Sequence, residues 1–132
     1  MIGRNLLFVS LLLMCANAYG ALGVTGLRVM TQKNPQGIDD AEPCFSWKLE
    51  SDERSVLQTS YRIVVTEGAS DGSVVWDSGV IESSESSNVP AEGISLQPST
   101  RYFWSVTVRD NKGNEARSDE QAYFDTGLMG SG

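Results

Sequence analysis

The chemistry open to this sequence is that of carboxylates and thiols, because no histidine occurs among its 132 residues. That absence removes the commonest general base and the commonest metal ligand together, and with them zinc sites and histidine-based triads. Glu82 and Glu85 come nearest to an acid/base pair, but their serine-rich surroundings contain nothing that would raise a carboxyl pKa. Asp110, Asn111 and Asn114 imitate a calcium loop. The acidic alternation of such a loop is missing, however, and the twelfth position from Asp110 is Gln121 rather than Glu, so the run reads as a turn. Cys44 has no imidazole to activate it and reads as a small buried hydrophobe at the start of a strand. No glycine-rich phosphate loop or nucleophile elbow is present. The residues therefore assign no catalytic, cofactor-binding or metal position. With 17 acidic against 10 basic residues the net charge is −7, which argues against nucleic acid as a partner.

Residues 1–18 read as a signal peptide. Arg4 supplies a positive start, Leu6 to Met14 an apolar run too short to span a bilayer, and Ala16-Asn17-Ala18 the small residues of a cleavage site. The expected mature chain is exported to the periplasm, the cell surface or the medium. Its Lys and Arg fall from 10 to 9 against 17 acids, a net charge of −8, and it holds Cys44 alone, so no intrachain disulfide can form. Leu12-Leu13-Met14-Cys15 resembles a lipobox, although Met14 stands where a small residue is wanted; a membrane partner is expected only if Cys15 is lipidated. Residues 19–128 then form one domain and 129–132 a tail.

Short alternating runs separated by Ser, Gly and Asn clusters predict an all-β sandwich of about seven antiparallel strands. The first runs from Val24 to Lys33, with Leu27 and Val29 on one face, and ends at the turn Asn34-Pro35-Gln36-Gly37. A second places Phe45, Trp47 and Leu49 inward. A third covers Gln58 to Glu67 with Tyr61, Ile63 and Val65 inward, and Gly68 to Gly72 turns it back into a fourth at Ser73–Val80, where Gly79 suggests a bulge. Ser83 to Ser87 reads as an exposed edge strand. The strongest strand starts at Tyr102: Tyr102, Trp104, Val106 and Val108 share one face, while Phe103 is the one large apolar residue on the other. Asp110 to Asn114 closes it by a hairpin turn, and Gln121 to Thr126 is the last strand. Trp47, Tyr61, Tyr102 and Trp104 are the expected aromatic core.

Leu96, Pro98, Thr100 and Tyr102 follow the spacing of the corner that leads into a late strand of fibronectin type III domains, in which the tyrosine hydroxyl turns back to the upstream backbone. A narrower likeness joins several motifs in order: Asn34-Pro35-Gln36-Gly37-Ile38-Asp39, Phe45-Ser46-Trp47-Lys48-Leu49, Gln58-Thr59-Ser60-Tyr61-Arg62-Ile63, Val75-Trp76-Asp77-Ser78-Gly79-Val80, Thr100-Arg101-Tyr102-Phe103-Trp104-Ser105-Val106, Asp110-Asn111-Lys112-Gly113 and Phe124-Asp125-Thr126-Gly127-Leu128. This series resembles the N-terminal fibronectin type III-like domain of bacterial α-L-rhamnosidases. Cys44 departs from it, where that pattern has Arg, as does Arg109, where an aromatic is common.

The resemblance implies a non-catalytic accessory module, with the catalytic carboxylates in an (α/α)-barrel beyond Gly127-Leu128 and none in this chain. Its expected partners are the downstream modules of such an enzyme. Two other function classes stay open: a free carbohydrate-binding domain for plant or bacterial polysaccharide, and a cell-surface interaction module. Phe103 and Trp76 are the candidate interaction residues that separate them, because a sugar binder needs an exposed aromatic platform and a packing module covers the same rings.

Overall fold

Period-two alternation in segments rich in Val, Ile, Trp and Tyr leaves one face of each strand apolar, and two such sheets stack to bury those faces together. The computed structural model describes residues 22–129, so the expected leader with Cys15 and the last three residues lie outside the described part. Nine strand segments are present there: β1 (Gly23–Val29), β2 (Cys44–Glu50), β3 (Gln58–Glu67), β4 (Ser73–Asp77), β5 (Ile81–Glu82), β6 (Val89–Pro90), β7 (Arg101–Asp110), β8 (Glu115–Arg117) and β9 (Ala122–Asp125). One sheet has the order β1-β2-β6. The other is centred on the long antiparallel pair β3 and β7, flanked by β4 and β5 along β3 and by β8 and β9 along β7. The nine segments thus occupy seven strand positions, three facing four, in an all-β immunoglobulin-like sandwich.

Both flanks of the larger sheet break at the same level. Ile63 of β3 and Val106 of β7 are direct partners. Ser78, between β4 and β5, donates its N–H to the Ile63 carbonyl (2.9 Å), and its hydroxyl accepts the Ile63 N–H (2.8 Å). Ser118, between β8 and β9, does the same to Val106, at 2.8 and 3.0 Å. A single serine therefore satisfies each central residue while the outer strand departs.

Phe45 lies at the centre of the core, with ring centroids 4.4 Å from Trp104, 6.0 Å from Phe124 and 6.4 Å from Trp76. Tyr102 stacks on Phe124 and Trp47 packs against Tyr61. Trp47, Tyr61, Tyr102 and Trp104 are all buried. Among the described residues, every buried side-chain polar atom has a hydrogen-bond partner.

Several boundaries differ from those expected. The first strand ends at Val29 rather than Lys33, because the chain reverses at Met30 and Thr31 (φ 50° and 68°), with Val29 and Gln32 exchanging both backbone hydrogen bonds. This is a two-residue turn of the I′ kind made without Gly or Asn. Within β1 an extra residue is accommodated at Gly26 (φ 64°), so Val24 and Leu27 both point inward despite their odd spacing. The bulge of the β3–β4 hairpin lies at Val65/Thr66; Gly79, at φ 71°, lies in the gap between β4 and β5 instead. Ser83 to Ser87 is not an edge strand. It crosses from one sheet to the other, with the Ser83 N–H on the Thr59 carbonyl and the Ser86 carbonyl accepting from Trp47. Gln58 enforces that crossing: its amide nitrogen donates to the carbonyls of Ser83 and Glu85, and its oxygen accepts the Trp47 indole N–H. β8 was not foreseen, and the last strand is confined to Ala122–Asp125.

Candidate interaction surface

Alternation along β7 sends Arg101, Phe103, Ser105 and Thr107 away from the core. The cross-strand register sets Phe103 between Thr66 of β3 and Tyr123 of β9. Phe103 is half-buried, its ring 5.9 Å from that of Tyr123 and tilted by 56°. Beside it the loop from Ser118 to Gln121, where the outer strand departs, rises over the sheet and leaves a groove of about 340 Å³. Val64, Thr66, Phe103 and Ser105 form its floor, and Arg117, Asp119 and Glu120 stand at its rim.

Two arginine–carboxylate pairs lie on this face. Arg101 grips Asp125 with two hydrogen bonds of 2.7 and 2.9 Å and lies 4.0 Å above the Tyr123 ring. The Arg101 hydrogen bond holds the Asp125 carboxyl below its ordinary pKa, against a smaller opposing effect of burial. Arg62 holds Asp77 in the same manner and, with the N–H of Gly79, brings its pKa down to about 2. Burial pushes the Asp110 carboxyl upward, but hydrogen bonds from Asn114 and Lys112 outweigh it and leave the pKa lowered. All three carboxylates are ionised at neutral pH and committed to hydrogen bonds, the opposite of what a proton-donating glycosidase acid requires.

The other candidates are dispersed. Glu82 and Glu85 are both exposed, and Glu85 enters the crossing through its main-chain carbonyl. The Asp110 carboxylate accepts from the N–H groups of Lys112 and Asn114 and from the Asn114 side-chain amide, so its oxygens are spent on the hairpin turn. Asn111 binds Leu57 N–H and the Ser55 carbonyl, docking that turn on the loop before β3. Among the described residues, no group of three acidic or cysteine side chains could hold a metal ion. Cys44 opens β2 but is half-buried rather than buried, its N–H directed at the Met30 sulfur at 3.2 Å.

Trp76 and Phe103 do not share a surface. Trp76 packs inward against Phe45 and donates its indole N–H to the Glu92 carbonyl at 2.9 Å, which leaves Phe103 with Tyr123 as the aromatic pair on the outer face. The bridging roles of Gln58, Ser78 and Ser118 are not evident in the sequence. The one signal they carry is a polar residue at the margin of an apolar strand.

The domain family described as "Rha78A-like, N-terminal immunoglobulin domain" matches residues 24–130. An α-L-rhamnosidase of Streptomyces avermitilis is 40% identical over 113 residues, covering 84% of this chain and 11% of its own length. One from Formosa agariphila is 34% identical over 102 residues, 74% of this chain and again 11% of its own. Among solved structures, an α-L-rhamnosidase of Streptomyces avermitilis superposes over 83% of this chain and 11% of that one, with a TM-score of 0.76 at 40% identity. The enzyme of Dictyoglumus thermophilum does so over 81% and 12%, with 0.72 at 36% identity. The chain spans about 11% of the length of the curated relatives it matches, and the matched part is their non-catalytic N-terminal domain. The chain belongs to the family of Rha78A-like N-terminal immunoglobulin domains of α-L-rhamnosidases.

Proposed function

We propose that this domain is an exported accessory module that packs against downstream modules of an α-L-rhamnosidase and contributes no group to bond cleavage. The observation that carries this reading is the outer face around Phe103: a half-buried aromatic pair beside a groove, with the neighbouring carboxylates Asp77 and Asp125 already neutralised by arginines. Such a face suits coverage by another folded surface, and its arginine-paired carboxylates are not poised for proton transfer. Downstream contacts, substrate and export come to this chain by its family membership and its leader-like start.

The purified chain should release no L-rhamnose from aryl rhamnosides and show no binding on a glycan array. Measurable hydrolysis would defeat the proposal. Array binding that disappears in Phe103→Ala, with the fold retained, would replace it by a polysaccharide-binding role, the second reading that an aromatic on the outer face supports.

A further inference from the structure

The two motifs that open and close the family likeness, Asn34 to Asp39 and Phe124 to Leu128, lie almost 90 residues apart and meet in space. Asn34 accepts the Tyr123 N–H through its side-chain oxygen (3.0 Å), and the Pro35 carbonyl accepts the Asp125 N–H (3.0 Å). Ile38 donates to the Asp125 carbonyl (2.9 Å) and accepts from the Gly127 N–H (2.8 Å), forming a parallel bridge to Thr126. The Asp39 carboxylate accepts the N–H of Met129 (2.9 Å). On the opposite side, Ser99 of the tyrosine corner donates to the Gly127 carbonyl (2.9 Å), and the Thr126 hydroxyl bridges Gln97 and Thr100. Gly127 is hemmed in: a Cβ there would come within 2.7 Å of Asp39 Oδ1 and 3.1 Å of the Gly37 carbonyl.

We propose that the 34–39 segment and the 97–100 corner form a clamp that holds Thr126 to Met129 against the end of the sandwich, so that the polypeptide leaves this domain in one fixed direction. A strand that merely ended at Asp125 would fray within a residue or two and act as a hinge. Here Gly127 is bonded to both segments, Asp125 to the 34–39 segment and to Arg101 of β7, Thr126 between them to the 97–100 corner, and Met129 to Asp39. The partner this arrangement serves is the module that follows in the same polypeptide, whose orientation the clamp would set. That use rests on the accessory-module reading, whereas the clamp itself is a property of this chain.

Amide hydrogen exchange on the whole chain tests the clamp directly. Gly127 and Met129 should exchange well below the rate of an unstructured peptide. Because a hydrogen bond to a carboxylate is worth somewhat more than one between neutral groups, Asp39→Ala should speed Met129 exchange by roughly tenfold, with the amides of β7 unaffected. Gly127→Ala should produce the same loss at Met129 by displacing the Asp39 carboxylate, and the double variant should add little to either single change. Parent Gly127 and Met129 amides that exchange like a free peptide, or rates at Met129 untouched by both substitutions, would overturn the clamp. Detection of hydrolase activity in the chain would overturn the module reading and leave this protection pattern in place, so the two failures are distinguishable.

Discussion

The indole N–H of Trp47 donates to the side-chain oxygen of Gln58 across 2.9 Å of buried space, and this bond joins the two sheets. Trp47 belongs to β2 and Gln58 to β3, and the same amide reaches on to the carbonyls of Ser83 and Glu85. An aromatic that would otherwise bury an unpaired donor is thereby tied to the segment that crosses between layers.

Gln58→Ala should cost about 2 to 4 kcal/mol, since it leaves one buried donor and two carbonyls without their partner. Trp47→Ala should cost about 3 to 5 kcal/mol through lost core volume. Trp47→Phe, which removes the donor while keeping an aromatic, should cost markedly less in the Gln58→Ala background than in the parent. Urea unfolding of the four proteins checks this, and strictly additive costs would refute the coupling.

Tyr102→Phe isolates the corner. The Gln97 N–H donates to the Tyr102 hydroxyl at 2.7 Å, and the ring is fully buried. Loss of that acceptor should destabilise the domain by roughly 1 to 3 kcal/mol with no change in the slope of the denaturant curve. A variant within error of the parent would remove the corner from the account of stability.

Acid should weaken the fold through Asp77. Its folded pKa, about 2, lies below the ordinary 3.8, so the stabilisation is complete above pH 4 and disappears as the pH falls towards 2. Asp110 and Asp125 are depressed as well and act in the same direction. Because Asp77 and Arg62 are 34% and 51% exposed, solvent screens their pair and keeps the effect small. Thermal midpoints should stay level from pH 8 to 5 and decline between 4 and 2, with a smaller decline in Asp77→Asn. A step between pH 6 and 7 would contradict a sequence that has no histidine to supply it.

Export makes a separate prediction. Protein matured by an expressing cell should begin at Tyr19, after the small-residue site ending at Ala18. Intact mass decides between this start, a chain retaining Met1, and one beginning at a lipidated Cys15; either of the latter would end the reading of cleavage after Ala18.

Strand positions were legible wherever alternation was strict. β3 and β7 begin and end where their patterns do, because both are central and their apolar faces leave a single register. Reading failed where side chains replace backbone in the ladder. Nothing local distinguishes Ser78 or Ser118 from any surface serine, and the left-handed turn at Met30 and Thr31 lacks the residues that usually announce one. Of the outer face, Phe103 was evident from its odd position in β7. Tyr123 and the groove required knowing that β9 lies beside β7, a pairing between segments joined only through β8 and its loop.

The matched serine breaks at Ser78 and Ser118 bear on how molecules of this protein meet one another. An uninterrupted outer strand is a template for a strand of a second copy, and here one flank also exposes Val74, Val80 and Ile81. Because each flank is cut at the level of Ile63 and Val106, the available segments measure five and two residues on one side and three and four on the other. None matches the six or seven residues of a typical self-stacking segment, so the flanks of the larger sheet are poor templates for a strand of a second copy.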